Sequence, residues 1–223
     1  MGTVGTISLL GFEKGGRQEM ERAIKQLGLK GFSLASNIVG KPLDNFEPFW
    51  AAAEELNVPI YIHPRHPQGY SGRIYEKDYN LAQIYGWPYE TVLSLARMVL
   101  SGIIKRHPRL NIVAHHAGGG MIPFFMGRLL DGIADKQAAE DILRQFKLIY
   151  YDTAVGLNAP AIRLAFDVLG TERMVFGSDV PWGANSGSVR LEGYLKAIRS
   201  MGLPQKVTDA IFADNIHRII KIP

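Results

Sequence analysis

Apolar residues gather along this chain in six short, nearly unbroken runs. Between the runs they recur every three or four positions. The runs cover Val4–Leu10, Gly31–Ala35, Val58–His63, Leu110–Ala114, Leu148–Asp152 and Arg173–Gly177. Runs of this length without polar alternation predict strands covered on both faces, as in a parallel sheet flanked by helices. The intervening segments show helical spacing. Arg17–Leu27 places Met20, Ala23, Ile24 and Leu27 on one face, with Gly28 where a helix end favours a left-handed residue. Further helices are predicted over Phe46–Leu56, capped by Asp44 or Asn45, over Pro88–Arg106, and from Pro123 through Leu130. A short helix before Leu148, then Ala159–Leu169, Val189–Met201 and Gln205–Ile220 complete the set. Residues 64–80 are too long for an ordinary connection. Arg65, His66, Tyr70, Arg73, Tyr75 and Tyr79 give them the composition of a lid or subunit contact.

Strand and helix alternate six times, which predicts an α/β fold with parallel strands and right-handed crossovers, in one domain over residues 1–223. A closed (β/α)8 barrel needs eight such units and typically about 250 residues.

Three runs end in polar residues. They are Ile62-His63-Pro64, Ala114-His115-His116-Ala117-Gly118-Gly119-Gly120, and Phe176-Gly177-Ser178-Asp179. The carboxyl ends of strands are where α/β sheets and barrels hold their chemistry. Neighbouring residues on an extended strand face opposite ways, so one histidine of the pair can point into a site shared with His63 and Asp179. Those three make a nitrogen and oxygen set suited to catalytic Zn or Mn, which lowers the pKa of a bound water or polarises a substrate oxygen. Each also has a plain explanation: a hydrogen-bonded histidine at a strand end, a carboxylate capping a turn. Asp152 ends a strand as well, but Thr153 and Asn158 beside it suggest a turn cap. Arg128, one helical turn past Phe124, is placed either to hold a carboxylate bidentately or to form a surface salt bridge. His107 and His217 fall outside strand ends and receive no role.

Composition narrows the classes. Hydrophobic residues make up 47% and charged residues 21%, as in ordinary globular proteins. The net charge of +4 comes from 25 basic and 21 acidic residues that are scattered. The one basic cluster, Lys105–Arg109, lies between a helix and a strand, so no nucleic-acid partner is expected. The absence of cysteine excludes disulfides and thiolate zinc sites. No run has the length of a membrane span and no signal peptide is evident, so a cytoplasmic protein is expected.

The three strand-end motifs, in this order, resemble the amidohydrolase-related family that includes aminocarboxymuconate-semialdehyde, resorcylate and carboxyvanillate decarboxylases. Gly28-Leu29-Lys30-Gly31-Phe32, Trp50-Ala51-Ala52-Ala53-Glu54-Glu55 and Asp214-Asn215-Ile216-His217-Arg218 extend the likeness over essentially the whole chain. The resemblance implies a distorted (β/α)8 barrel with a mononuclear divalent metal. It implies His63 as a metal ligand, and Asp179 as a metal ligand and proton acceptor. The strand-end histidine would orient the metal water or protonate the substrate. Family spacing to the glycines points to His116 in this role, with His115 inside the wall. Arg128 and Trp182 are expected at the substrate.

One family feature has no counterpart. The family's first strand carries His-x-His, or a carboxylate in place of the first histidine, and this sequence contains no such motif. The expectation is therefore a chain that opens at the third strand, with an incomplete metal site and apolar surface favouring a homo-oligomer. Three functions follow: decarboxylation of an aromatic or unsaturated carboxylic acid, hydrolysis of a lactone, ester or amide, or an inactive truncated member serving as a subunit.

Overall fold

The computed structural model describes residues 3–65 and 78–220. The expected lid at 64–80 falls mostly on residues 66–77, so His66, Tyr70, Arg73 and Tyr75 lie outside the described residues. The chain forms two compact units, Met1–Val113 with Ile219–Pro223, and Ala114–Arg218.

The first unit is built on strands β1 (Gly5–Thr6), β2 (Phe32–Ala35), β5 (Pro59–His63) and β6 (Asn111–Ala114), adjacent in that order. A separate antiparallel hairpin is made by β3 (Asn37–Ile38) and β4 (Lys41–Pro42). β1 runs parallel to β2, and β2 to β5 in a register that sets Ala35 opposite His63. Helices α1 (Gly16–Lys25), α2 (Glu47–Leu56), α3 (Trp87–Leu100) and α4 (Ile103–Arg106) alternate with the strands. Met20 and Ala23 of α1, Phe49 and Trp50 of α2, Ile60 and Ile62 of β5, and Leu95 and Met98 of α3 are buried. The Trp50 indole N–H donates to the Leu43 carbonyl at 2.8 Å, so even this large ring leaves no polar atom unpaired.

Three expectations for this unit change. The predicted buried strand over Val4–Leu10 shrinks to two residues at the end of the strand order, with Val4 and Leu10 exposed. The helix predicted over Pro88–Arg106 breaks at Gly102, whose φ of +82° ends α3 and starts α4. Asp44 does not cap α2. It lies in a 3-10 turn, Leu43–Asn45, and its carboxylate takes both Nε and Nη2 of Arg97, at 3.0 and 2.8 Å.

In the second unit β7 (Tyr150–Asp152) pairs parallel with β8 (Met174–Val175), Asp152 opposite Val175. The helices are α5 (Ile122–Asp131), α6 (Lys136–Phe146), α7 (Ala159–Leu169), α8 (Ser188–Arg199) and α9 (Gln205–Asp209). α6 and α7 have side-chain N-caps: Asp135 accepts from the Gln137 amide and Asn158 from the Ala161 amide. α9 continues through a π-turn to His217, close to the long final helix predicted. Asn215 there is fully buried, and its side-chain amide donates to the carbonyls of Thr171 and Met174 at 2.9 and 2.7 Å. That fastens the last helix to the start of β8. β8 itself is shorter than predicted, because beyond Val175 the backbone leaves the ladder: Phe176 N–H donates to Ile211 and Gly177 N–H to the Thr153 hydroxyl.

Candidate active site

At the rim of the first unit, the ladder carries on for one step past β2: Ser36 N–H donates to the His63 carbonyl, and the Ser36 hydroxyl accepts from Arg65 N–H. His63 stands at this edge, half-buried. Its Nδ1–H donates to the Pro64 carbonyl at 2.9 Å, and its ring meets Trp87 edge-on at 6.1 Å between centroids. A carbonyl can only accept, so the neutral ring carries its proton on Nδ1 and its lone pair on Nε2. Nearby, Asn37 is bound through both ends of its amide. The oxygen accepts from Gly40 N–H and closes the hairpin; the nitrogen donates to Glu90 of α3 at 2.8 Å. Burial pushes the Glu90 carboxyl up from its ordinary value, with the Asn37 amide pulling the other way.

The second unit holds the histidine pair, and its backbone departs from the strand alternation expected of them. β6 ends at Ala114. His115 is extended, and then five residues in a row have positive φ: His116 (55°), Ala117 (50°), Gly118 (67°), Gly119 (79°) and Gly120 (69°). Glycines adopt this conformation at little cost, whereas His116 and Ala117 each forgo about 1–2 kcal/mol. Gly118 is needed for room too, since a Cβ there would lie 2.8 Å from Ile122 and 3.0 Å from the Tyr151 ring.

What holds this turn is Asp152. One carboxylate oxygen accepts from Ala117 N–H at 3.3 Å and Ala154 N–H at 3.0 Å; the other accepts from His115 Nδ1–H at 2.9 Å. The carboxylate is buried. Burial alone would raise its pKa, but the hydrogen bond and charge of His115, the charge of His116 and the Ala154 amide outweigh it and hold the group below the ordinary carboxylate range. The turn-cap role expected for Asp152 is thus real but partial, because the same carboxylate orients a histidine. His115 is correspondingly not sealed in the wall: its side chain is 30% exposed. His116 is the one that bonds backbone, its Nδ1–H donating to the Ala154 carbonyl at 2.7 Å. When neutral, both rings, like His63, therefore carry their lone pair on Nε2.

Asp179 follows β8 with φ of 59°, another left-handed non-glycine residue. Its Oδ2 accepts from Nη1 of Arg190, in the first turn of α8, at 2.7 Å. Tyr194, one turn further on, is buried. Burial pushes its phenol up, against the charge of Arg190 and a Gly156 N–H that pull it down. Thr153 ties the ends of β7 and β8 together, donating to the Gly177 carbonyl at 3.0 Å. Trp182, 70% exposed, follows a cis Val180–Pro181 bond. Arg128 is exposed on the last turn of α5 and forms no ion pair among the described residues, so the surface salt bridge considered for it is absent there. Sequence reasoning passed over Arg190, Tyr194 and Asn37, which sit in no recognisable motif. It undervalued Asp152, for which a carboxylate at a strand end was the available signal.

Among the described residues no group of three or more histidines, aspartates or glutamates is gathered closely enough to hold a metal ion. The donors themselves suit one. An imidazole whose Nδ1–H is bonded to a carbonyl or carboxylate presents a basic Nε2, the arrangement typical of metal-ligating histidines, and Asp179 has a carboxylate oxygen beyond the one taken by Arg190. No described helix is long and apolar enough to cross a membrane.

Short strands, mostly parallel, whose polar residues stand at their carboxyl ends are the arrangement of the β/α-barrel class. Within that class the chain belongs to the amidohydrolase family, whose model matches residues 3–222. It is 31% identical over 185 residues to a gamma-resorcylate decarboxylase of Rhodococcus jostii, covering 74% of this chain and 56% of that protein. A 5-carboxyvanillate decarboxylase of Sphingomonas paucimobilis superposes with a TM-score of 0.82 at 28% identity, over 100% of this chain and 67% of that one. The 5-carboxyvanillate decarboxylase of Novosphingobium aromaticivorans, solved with manganese and 4-hydroxy-3-methoxy-5-nitrobenzoic acid, shares the fold at 24% identity and a TM-score of 0.81, over 98% of this chain and 64% of that one. The chain spans about half the length of the curated relatives it matches.

Proposed function

We propose that this chain belongs to a metal-dependent decarboxylase of an aromatic carboxylic acid. The observation that carries the reading is the set of strand-end histidines, each fixed with its lone pair on Nε2, in a family whose named relatives decarboxylate such acids. His63 and Asp179 are the proposed ligands of a divalent cation, manganese or zinc. When bound, that cation would supply positive charge for the substrate carboxylate and for charge developing on the ring.

The protein's own groups then have a proton to manage. Decarboxylation of an aromatic acid replaces a carbon–carbon bond with a carbon–hydrogen bond. A proton reaches the ring carbon bearing the carboxylate, the C–C pair returns to the ring, and carbon dioxide leaves. His116 and Asp179 are the proposed proton-handling groups. Asp152 holds the His115 imidazole in one orientation beside His116. Arg128 and Trp182 are the proposed substrate contacts, and exposed Phe124 beside Arg128 supports a homo-oligomer, which sedimentation would test.

The test is a panel of hydroxybenzoic acids, lactones and esters incubated with the manganese- or zinc-loaded protein. Carbon dioxide release from an aromatic acid is expected. Turnover of lactones or esters alone would replace the reading with that of a hydrolase. A purified chain that takes up less than about a tenth of an equivalent of metal would favour the inactive-subunit alternative.

A further inference from the structure

We propose that Arg190 is a further residue that receives the substrate's carboxylate, beside the contacts proposed above, exchanging Asp179 for it. The inference rests on the functional reading above and adds a residue to it that no family motif marks.

Four observations support the exchange. Arg190 spends one N–H on Asp179, a single 2.7 Å contact, and makes no other hydrogen bond among the described residues. A guanidinium carries five donors in a planar fork that matches a carboxylate bidentately, so most of its capacity is unspent. The pair is accessible, with side-chain exposures of 38% for Arg190 and 25% for Asp179, unlike an ion pair buried for structure.

The approach of the arginine stem is also built in. It lies across Gly183, where φ is +104° and a Cβ would stand 2.8 Å from Nε and 3.0 Å from Cδ. Only a glycine lets the stem pass there. Finally, Asp179 holds a left-handed conformation that a non-glycine residue adopts at a cost, and such strain gathers at functional positions. An incoming aromatic carboxylate offers Arg190 two parallel hydrogen bonds in place of one, and its arrival uncovers the Asp179 carboxylate.

Binding to the metal-free chain tests this without relying on turnover. The probe is 2,6-dihydroxybenzoate, with its neutral carboxamide as control, followed by tryptophan fluorescence; exposed Trp182, three residues from Asp179, is a local reporter. Arg190→Ala and Arg190→Gln are expected to weaken binding of the acid by about tenfold to a hundredfold, the range for a hydrogen bond to a charged group. Affinity for the carboxamide should stay unchanged. Arg190→Lys, which keeps the charge but not the fork, is expected between them. Gly183→Ala, which keeps the arginine but displaces its stem, should lose acid affinity selectively too. Unchanged acid affinity in Arg190→Ala, or equal losses for acid and carboxamide, would overturn the assignment, the second showing a structural role. A wild-type chain that binds neither ligand would instead overturn the decarboxylase reading from which the assignment follows.

Discussion

The rim of the first unit and the rim of the second hold their histidines by different means. His63 is fixed by a neutral carbonyl one residue away and by the edge of Trp87. His115 is fixed by a buried carboxylate from the next strand, and the same carboxylate secures a backbone turn that costs energy to form. Local, neutral support sets a tautomer and little else. Charged, long-range support sets the tautomer, stores strain and ties the site to pH. The second rim should therefore be the fragile and pH-sensitive one, and the first should tolerate change.

The largest expected effect follows from removing the shared carboxylate. Asp152→Ala leaves the buried Ala117 and Ala154 amides and the His115 ring without their acceptor. It should cost about 3–5 kcal/mol in urea unfolding. His63→Ala should cost less, about 1 kcal/mol, since a half-buried ring gives up contacts to neutral groups, the Pro64 carbonyl and the Trp87 edge among them. If the two losses are similar, the contrast between the rims fails. On the proposed metal roles the order inverts: His63→Ala and Asp179→Ala should each abolish metal uptake, while His115→Ala retains it, as measured by metal content after dialysis.

Next in size is the pH dependence. The Asp152 carboxyl lies below its ordinary value in the folded chain, so its contribution is present above the unfolded carboxylate range and is lost as pH falls through the folded value. Acid unfolding of Asp152→Asn should therefore be less steep than that of wild type, read by circular dichroism against pH. In the first unit Glu47 is the matching case. The Arg106 guanidinium first, helped by His107 and opposed by desolvation, holds it down at about 2. Its contribution is present above about 4.5 and lost toward about 2. Its side chain is 44% exposed, so Glu47→Gln should cost less than about 1 kcal/mol.

The smallest effect concerns strain alone. Ala117→Gly should stabilise the chain by up to about 1 kcal/mol, because glycine adopts the left-handed turn without the Cβ penalty. A loss of stability there would mean that the turn is not strained.

How much of this could be read beforehand depends on what carried the signal. β2, β5, β6 and β7 lie where continuous apolar runs placed them, and His63 and Asp179 follow their strands as expected. Those features depend on burial, which composition records. The first run, Val4–Leu10, misled because an end position in the strand order leaves apolar residues exposed. The opposite facing of His115 and His116 assumed an extended chain. Gly118–Gly120 announced a turn, but nothing in His116 or Ala117 shows that the left-handed stretch already begins with them. The Val39–Gly40 hairpin turn was equally hidden, since a β-branched residue at φ of 52° is one that local preference argues against. The histidine partner of Asp152 and the role of Arg190 were missed because the paired residues are 37 and 11 positions away.

Each strand-end histidine is held through Nδ1, which in the neutral ring leaves the lone pair on Nε2. Long-range proton–nitrogen correlation spectra of protein labelled with 15N-histidine, recorded where the rings are neutral, read this directly. The expected result is the Nδ1–H tautomer for His63, His115 and His116. An Nε2–H tautomer at His115 or His116 would contradict it.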